Sequence, residues 1–109
     1  MEKKNILTIQ QVESQQSKVY TDLANLFTVL SHPIRLQIIE LLADGPKCVC
    51  ELTPRFAMSQ PAISKHLKLL VDIKILQHRK DGTKNLYKIA NSEIHNIIQQ
   101  GFLALPSKK

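Results

Sequence analysis

The segment from Ser59 to Val71, Ser-Gln-Pro-Ala-Ile-Ser-Lys-His-Leu-Lys-Leu-Leu-Val, constrains the fold more than any other part of the chain. Ser59 is a residue type that caps helix N-termini. Pro61 fits a first helical turn, where its missing N–H costs little. The apolar residues that recur at the helical period form one stripe: Ile63, Leu67 and Leu70. The segment therefore predicts a helix with one buried face and a second face of amide, hydroxyl and ammonium groups.

The polar face of this helix has the chemistry that fits the major groove of DNA. An ordinary amphipathic surface helix has the same pattern, so the helix alone leaves both interpretations open. Residues 59–90 contain seven Lys or Arg and two Asp, which accounts for most of the net charge of +6. This cluster is typical of a polyanion-binding surface and favours nucleic acid, although a solvated basic face is also common.

The size and composition of the chain indicate one small domain. It has 109 residues, of which 43% are hydrophobic, and its core must be aliphatic because it has no Trp, three Phe and two Tyr. No apolar run is long enough to span a bilayer, and the N-terminus lacks the apolar core of a signal peptide. We therefore expect a cytoplasmic location.

The other segments predict a mainly helical domain. Helical periodicity runs from Ser17 to Leu30, and a second helix begins at Pro33, because the residue before a proline avoids the α region. Residues 47–56 predict a short third helix, which a tight turn joins to the helix at 59–71. Two helices so connected form a helix-turn-helix. The predicted domain covers 18–105, between a polar arm over 1–17 and a tail over 106–109. The arm is expected to be either frayed or a loosely ordered helix.

A β-hairpin is predicted after the helix-turn-helix. Residues 75–79 and 85–89 alternate roughly between apolar and polar, and Asp81-Gly82 between them is a hairpin-turn signal. The hairpin carries four basic residues: Arg79, Lys80, Lys84 and Lys88. A basic hairpin in this position is a wing, which can lie along DNA phosphates or enter the minor groove. A last helix follows, capped by Asn91 or Ser92, so the predicted order is α-α-α-α-β-β-α.

The first and last helices carry apolar stripes that the small core does not obviously need. These stripes can pair with their copies in a twofold dimer, or they can close over the core of the monomer. A dimer through both helices is favoured, because twofold DNA sites usually bind twofold proteins.

In these features the chain resembles the arsenic-repressor (ArsR/SmtB) family of winged-helix transcriptional repressors. The resemblance rests on four stretches, which are Leu30-Ser-His-Pro-Ile-Arg-Leu36, Cys48-Val-Cys-Glu-Leu52, Ser59-Gln-Pro-Ala-Ile-Ser-Lys-His-Leu67 and the hairpin at 75–89. It implies a homodimer that binds a palindromic double-stranded DNA operator. It also implies an inducer, usually a soft metal or metalloid ion, that releases the protein. It implies neither a constitutive cofactor nor enzymatic activity.

The resemblance also implies roles for individual residues of this chain. The helix at 59–71 would direct Gln60, Ser64 and Lys65 toward base edges. Five residues would contact phosphates: Ser59, Lys68, Arg79, Lys80 and Lys84. Phosphate contacts supply affinity and salt dependence, whereas base contacts supply the choice of sequence.

Cys48 and Cys50 are the only cysteines in the chain. We expect thiols in a reducing cytoplasm, and thiolates select soft ions, so the pair is a candidate metal or metalloid site. The resemblance to the family implies trivalent arsenic or antimony as the ion. The family motif supplies a third cysteine where this chain has Thr53. Both cysteines are predicted to lie in the third helix, where their side chains point apart, which disfavours an internal disulfide. Pro54 removes one helical hydrogen bond and softens this turn. The alternative is a purely structural pair.

Two other function classes are alternatives to the DNA-binding repressor. A small redox or metal-handling enzyme is disfavoured, because the chain lacks a Cys-x-x-Cys element, a Gly-rich phosphate loop and a nucleophile–base–acid set. A winged helix that binds an acidic protein partner remains open. A zinc site at the last helix is disfavoured, because Glu93 and His95 face apart at i and i+2. His32 is expected to contribute to a helix start, and His66 to face either DNA or the core.

Overall fold

A computed structural model of the chain describes residues 8–107. The five α-helices of this part are α1 (Ile9–Leu30), α2 (Pro33–Leu41), α3 (Val49–Leu52), α4 (Gln60–Asp72) and α5 (Ser92–Ala104). The strands β1 (Lys47–Cys48), β2 (Leu76–Asp81) and β3 (Lys84–Ile89) form one antiparallel sheet in the order β1-β3-β2. The mainly helical fold with a hairpin wing is confirmed. None of these helices is long and apolar enough to cross a membrane.

The first helix begins at Ile9, well before the predicted start at Ser17. Thr8 caps it, because the Thr8 hydroxyl accepts a hydrogen bond from the Gln11 N–H at 3.0 Å. The Gln11 side chain accepts one in return from the Thr8 N–H at 2.8 Å, which completes a capping box. The predicted polar arm over 1–17 is thus helical from Ile9 onward. Residues 1–7 of that arm, and the last two residues of the predicted tail, lie outside the described part of the chain.

The segment 47–56, predicted as one helix, contains three elements. Lys47 and Cys48 form β1 and pair with Tyr87 and Leu86 of β3. Cys48 is then the extended N-cap residue of α3, so the prediction that both cysteines lie in a helix is wrong. A 3-10 turn, Thr53–Arg55, follows α3. Proline cannot donate the next helical hydrogen bond, which explains why the α-helix ends just before this turn.

The helix α4 confirms the prediction from its sequence. The Ser59 hydroxyl accepts a hydrogen bond from the Ala62 N–H at 3.3 Å and caps the helix. The three residues of the predicted apolar stripe are completely buried: Ile63, Leu67 and Leu70. They pack in an aliphatic core with residues of α2, α3, β2 and α5, among them Ile38, Leu52, Ile75, Leu76 and Ile98. This packing fixes which face of α4 points to solvent.

The hairpin of β2 and β3 is also confirmed. Asp81 pairs with Lys84, so Gly82 and Thr83 form a two-residue turn. Gly82 has a φ of 68°, a left-handed conformation that glycine adopts without strain. Only Leu76 of β2 is buried, and the rest of that strand projects into solvent as a wing.

Lys74, just after α4, is strained, because it has a φ of 70° although it is not a glycine. We expect Lys74→Gly to raise the free energy of unfolding by about 0.5–1 kcal/mol, since relief of left-handed strain exceeds the entropy that glycine adds to the unfolded chain. The matched control Lys68→Gly, inside α4, should lower it by about 1 kcal/mol. Urea denaturation of both variants measures the two changes, and a less stable Lys74→Gly protein contradicts the prediction.

Candidate nucleic-acid interface and cysteine pair

The helix α4 presents an exposed polar face opposite its buried stripe. Gln60, Lys65 and Lys68 are exposed, and Ser64 is half-buried at the edge of this face. Lys68 forms an ion pair with Asp72 at 3.1 Å, and both side chains are more than half exposed. An exposed pair of this kind contributes little to stability, so it does not prevent Lys68 from contacting a phosphate. The structure thus brings the predicted base-reading residues together on one accessible surface.

The wing distributes its basic residues over two faces. The register pairs Arg79 with Leu86 and Asp81 with Lys84, so Arg79 and Lys84 share one face of the hairpin. Lys80 is displaced by one residue from Arg79 and lies on the other face. All three side chains are exposed. The pleat therefore separates Lys80 from Arg79 and Lys84, which the sequence placed in one group.

The cysteine pair lies between the wing and α4. Cys48 is opposite Leu86 of the wing strand β3, and α3 leads from this point through the 3-10 turn to α4. The structure joins Cys48 and Cys50 in a disulfide, with their Cα atoms 5.2 Å apart. Cys48 is buried and Cys50 is exposed. Any chemical change at this pair is therefore adjacent to both surfaces that could bind DNA.

The disulfide contradicts two expectations from the sequence. The expected free thiols are not what the structure contains, and an internal disulfide is compatible with this spacing. The physical reason is that Cys48 has extended backbone angles, φ −85° and ψ 164°, so helical geometry does not separate the two side chains. A Cα separation of 5.2 Å is within the range that a disulfide bridges.

The third position of the family's thiolate motif is occupied by Thr53, whose side chain has another partner. Its hydroxyl donates a hydrogen bond to the Val49 carbonyl at 2.8 Å. Between residues 8 and 107, no group of three or more His, Cys, Asp or Glu side chains could hold a metal ion. A soft ion at this site would therefore have two sulfur ligands from the chain.

The half-buried side chain of His66 in α4 contacts residues at the start of α2. Its Nδ1 accepts a hydrogen bond from Arg35 Nε at 3.2 Å, and its ring lies edge-on to the His32 ring, with centroids 4.6 Å apart. Burial, and then the charges of His32 and Arg35, hold the pKa of His66 below its ordinary value. His32 caps α2 as expected, because its Nδ1 accepts from the Ile34 N–H at 3.1 Å. Arg35 lies in one of the stretches that carry the family resemblance, but nothing in the sequence pattern predicted its contact with His66.

The carboxylate and histidine of α5 have separate partners. Glu93 accepts a hydrogen bond from the Asn96 amide at 3.3 Å. His95 Nε2 lies 3.4 Å from a Glu40 carboxylate oxygen of α2, and the Gln99 amide donates to both oxygens of that carboxylate at 3.0 Å. These contacts attach α5 to α2.

Both terminal helices expose large apolar side chains. On α1 these are Ile9, Val19, Tyr20, Leu23 and Phe27, and near the end of the chain they are Phe102, Leu103 and Leu105. A groove of about 440 Å³ lies between the two helices, lined by residues that include Phe27, Leu36 and Ile97. A contiguous apolar surface of this kind is typical of a protein–protein contact.

Comparison with known proteins agrees with this architecture. The family described as "Bacterial regulatory protein, arsR family" matches residues 32–77. The chain is 40% identical over 80 residues to the arsenical resistance operon repressor of Staphylococcus aureus, covering 73% of this chain and 77% of that protein. It is 42% identical over 81 residues to the repressor of the same description from Staphylococcus xylosus, covering 74% and 77%.

The fold is also that of a solved structure, the homodimeric winged helix-turn-helix DNA-binding domain Mb0332 from Mycobacterium bovis. The two have a TM-score of 0.74 and 24% identity, over 82% of each chain. The winged helix-turn-helix, the exposed α4 face and the identity to two repressors agree on one conclusion. The chain belongs to the arsR family of bacterial regulatory proteins and is a DNA-binding transcriptional repressor rather than an enzyme.

Proposed function

We propose that this repressor binds a palindromic operator as a homodimer and that a soft metal or metalloid ion, or a thiol-reactive signal, releases it through Cys48 and Cys50. The observation that carries the proposal is the position of the cysteine pair. It adjoins the wing through the pairing of Cys48 with Leu86, and the end of α3 and the 3-10 turn connect it to α4.

The DNA-binding surface combines α4 with one face of the wing. Gln60, Ser64 and Lys65 supply the amide, hydroxyl and ammonium groups that hydrogen-bond base edges in the major groove. Ser59 and Lys68 flank them and contact phosphates, as do Arg79 and Lys84 of the wing. Lys80 lies on the other wing face and contacts the backbone only where DNA curves around the hairpin tip. Most of the affinity then comes from phosphates and depends on salt.

The dimer is supported by the exposed apolar side chains of α1 and α5. A twofold protein presents two copies of α4, which read two half-sites about one helical turn apart and so require a palindrome. The solved domain from Mycobacterium bovis is described as homodimeric. The M. bovis domain has the same fold as this chain, so its homodimeric state supports a dimer here in addition to the exposed apolar side chains.

The proposed inducer follows from the chemistry of the cysteine pair and from the names of related proteins. The two staphylococcal relatives are named for arsenical resistance. A thiol reductant, which is itself oxidised to a disulfide, supplies the two electrons and two protons that convert the pair to two thiols, and their thiolates select soft ions such as trivalent arsenic or antimony. A bound ion changes the geometry at Cys48, and the strand pairing with Leu86 transmits that change to the wing. Because coupling is reciprocal, DNA weakens inducer binding by the same factor.

The DNA-binding part of the proposal is tested by fluorescence anisotropy with a duplex from the protein's own promoter and a random duplex of equal length. We expect a steep fall in affinity with salt and a clear preference for the promoter duplex. Lys65→Ala should weaken promoter binding by about 1–3 kcal/mol, because it removes a base contact. Equal affinity for the two duplexes at every salt concentration contradicts the proposal.

The matched control is Lys18→Ala on α1. Lys18 is exposed and forms an ion pair with Asp22 at 3.1 Å, so this variant removes the same charge from a surface outside α4 and the wing. Its affinity for the promoter duplex should remain close to that of the unmodified protein. If Lys18→Ala loses as much affinity for the promoter duplex as Lys65→Ala, the effect is one of net charge, and Lys65 is not a base-contacting residue.

A further inference from the structure

Arg35, in the first turn of α2, connects three helices. Its Nε donates a hydrogen bond to Nδ1 of His66 in α4 at 3.2 Å. Its Nη1 donates a second hydrogen bond to the carbonyl of Val29, near the end of α1, at 3.1 Å. The helix α1 carries exposed apolar residues proposed for the dimer, and α4 carries the base-reading residues. Arg35 is thus a direct polar link between the two surfaces.

The link requires a neutral His66. An imidazole nitrogen that accepts a hydrogen bond from a guanidinium carries no proton, so His66 holds its proton on Nε2. The groups that face His66 from α2 and its N-cap are Arg35 and His32, and both oppose its protonation. The elements α3 and β2 also pack on α4, but among the described residues none of their charged groups contributes to the shift in the pKa of His66. Its neighbour Lys65 on α4 is exposed.

We propose that Arg35 is a positioning residue for DNA recognition, which holds α4 in its reading position through a hydrogen bond to neutral His66, so that protonation of His66 lowers operator affinity. A proton on Nδ1 removes the acceptor and places a cation against the guanidinium. The His66 side chain then turns away from Arg35, and α4 loses its polar connection to α1. This inference rests on the DNA-reading surface proposed above. Loss of the Arg35–His66 hydrogen bond affects DNA binding only if α4 must be held in a fixed position to contact the bases.

The effect should appear mainly in sequence-specific binding. Ser64 and Lys65 lie within two residues of His66, so a small rotation of α4 misaligns the groups that face the bases. Phosphate contacts tolerate such a rotation, since they are long-range and carry no sequence information. Affinity for the promoter duplex should therefore fall on acidification relative to affinity for a random duplex.

The test compares the unmodified protein with His66→Asn from about pH 7.5 down to the lowest pH at which circular dichroism shows both proteins folded, because the pKa of His66 lies below its ordinary value. Asparagine keeps an acceptor close to the position of Nδ1 but does not titrate. We expect the preference of the unmodified protein for the promoter duplex over the random duplex to fall several-fold across this range, and that of His66→Asn to change little. The control His78→Asn, on the exposed wing, should respond to pH as the unmodified protein does. The same pH response in the unmodified protein and His66→Asn overturns the proposal.

A second variant keeps the test decisive if His66→Asn folds poorly. Arg35→Lys retains the positive charge but lacks the planar guanidinium that reaches His66 and Val29 together. At about pH 7.5, where His66 is neutral, we expect it to lose affinity for the promoter duplex several-fold and to retain affinity for the random duplex. Unchanged preference in Arg35→Lys also overturns the proposal. If the unmodified protein shows no preference at that pH, the proposed DNA-reading surface fails instead.

Stability must be followed in parallel, because the same titration destabilises the fold. A histidine whose pKa is lower in the folded than in the unfolded protein removes stability as pH falls below the unfolded value of about 6.5. The melting temperature of the unmodified protein should therefore fall more than that of His66→Asn on acidification. Binding is compared only where circular dichroism shows both proteins folded, so that loss of affinity is separated from unfolding.

Discussion

Val19→Glu combined with Leu23→Glu is expected to convert the protein to a monomer and to weaken operator binding by about 100-fold or more, because the second half-site contact is no longer intramolecular. The two residues lie one turn apart on the apolar face of α1, and they are 63% and 44% exposed in the monomer. Like charges at these positions oppose a twofold contact, yet they disturb the monomer core little. Analytical ultracentrifugation measures the first effect, and anisotropy with the promoter duplex measures the second.

The control for this variant places the same charges on the other side of the same helix. Thr21→Glu with Asn25→Glu has the same spacing, and both side chains are exposed. Residues displaced by two positions from Val19 and Leu23 point to nearly the opposite side of an α-helix. This control should remain dimeric and bind the operator. A dimeric Val19→Glu/Leu23→Glu protein, or a monomeric control, shows that α1 does not form the interface through this face.

The second large effect is expected at the exposed cysteine. Cys50→Ser should abolish release of the promoter duplex by arsenite or antimonite and leave DNA affinity without inducer unchanged, because a hydroxyl is a poor ligand for a soft ion. Cys48 is buried, so it is replaced by alanine rather than serine to avoid burying an unpaired hydroxyl. The measurement is the inducer concentration that releases half of the bound duplex. A Cys50→Ser protein that is released as readily as the unmodified protein leaves the cysteines with a structural role.

The redox state of the pair has to be set in this experiment. A disulfide cannot donate two thiolates, so protein oxidised at Cys48 and Cys50 should not respond to arsenite until it is reduced. A phosphine reductant is required, since dithiol reductants themselves bind the ion. Thr53→Cys restores the third sulfur of the family motif and should lower the arsenite concentration needed for release. Because Thr53 donates to the Val49 carbonyl, its stability is measured as well.

Local chemistry in the sequence predicted α4 and the wing almost completely. The Ser59 cap, the proline in the first turn and the spacing of the apolar residues each depend on neighbours within a few positions, and each is observed. The hairpin turn was also predicted from neighbouring residues, because a two-residue turn requires a left-handed φ that Gly82 adopts without strain. The sequence left residues 1–17 open between a frayed arm and a loosely ordered helix, because the signal for the start of α1 is the Thr8–Gln11 capping box, in a polar stretch without an apolar stripe.

The cysteine pair shows why other features could not be predicted. Cys48 is extended because it pairs with Leu86 of the wing, far along the chain, and that pairing decides the direction of its side chain. Helical spacing therefore predicted wrongly that the two cysteine side chains point apart. Which wing residues share a face was likewise decided by strand register, which separates Lys80 from Arg79 and Lys84.

The sequence alone determined that this chain contains a capped, amphipathic helix with a polar exposed face, followed by a basic hairpin, since those features follow from backbone propensity and side-chain period. Only the tertiary structure placed the cysteines against the wing and joined Arg35 to His66. These contacts connect residues distant in sequence, and no local preference encodes them. They form because the aliphatic core fixes how α2, α4 and the sheet meet, and polar side chains at its edge then find partners within reach.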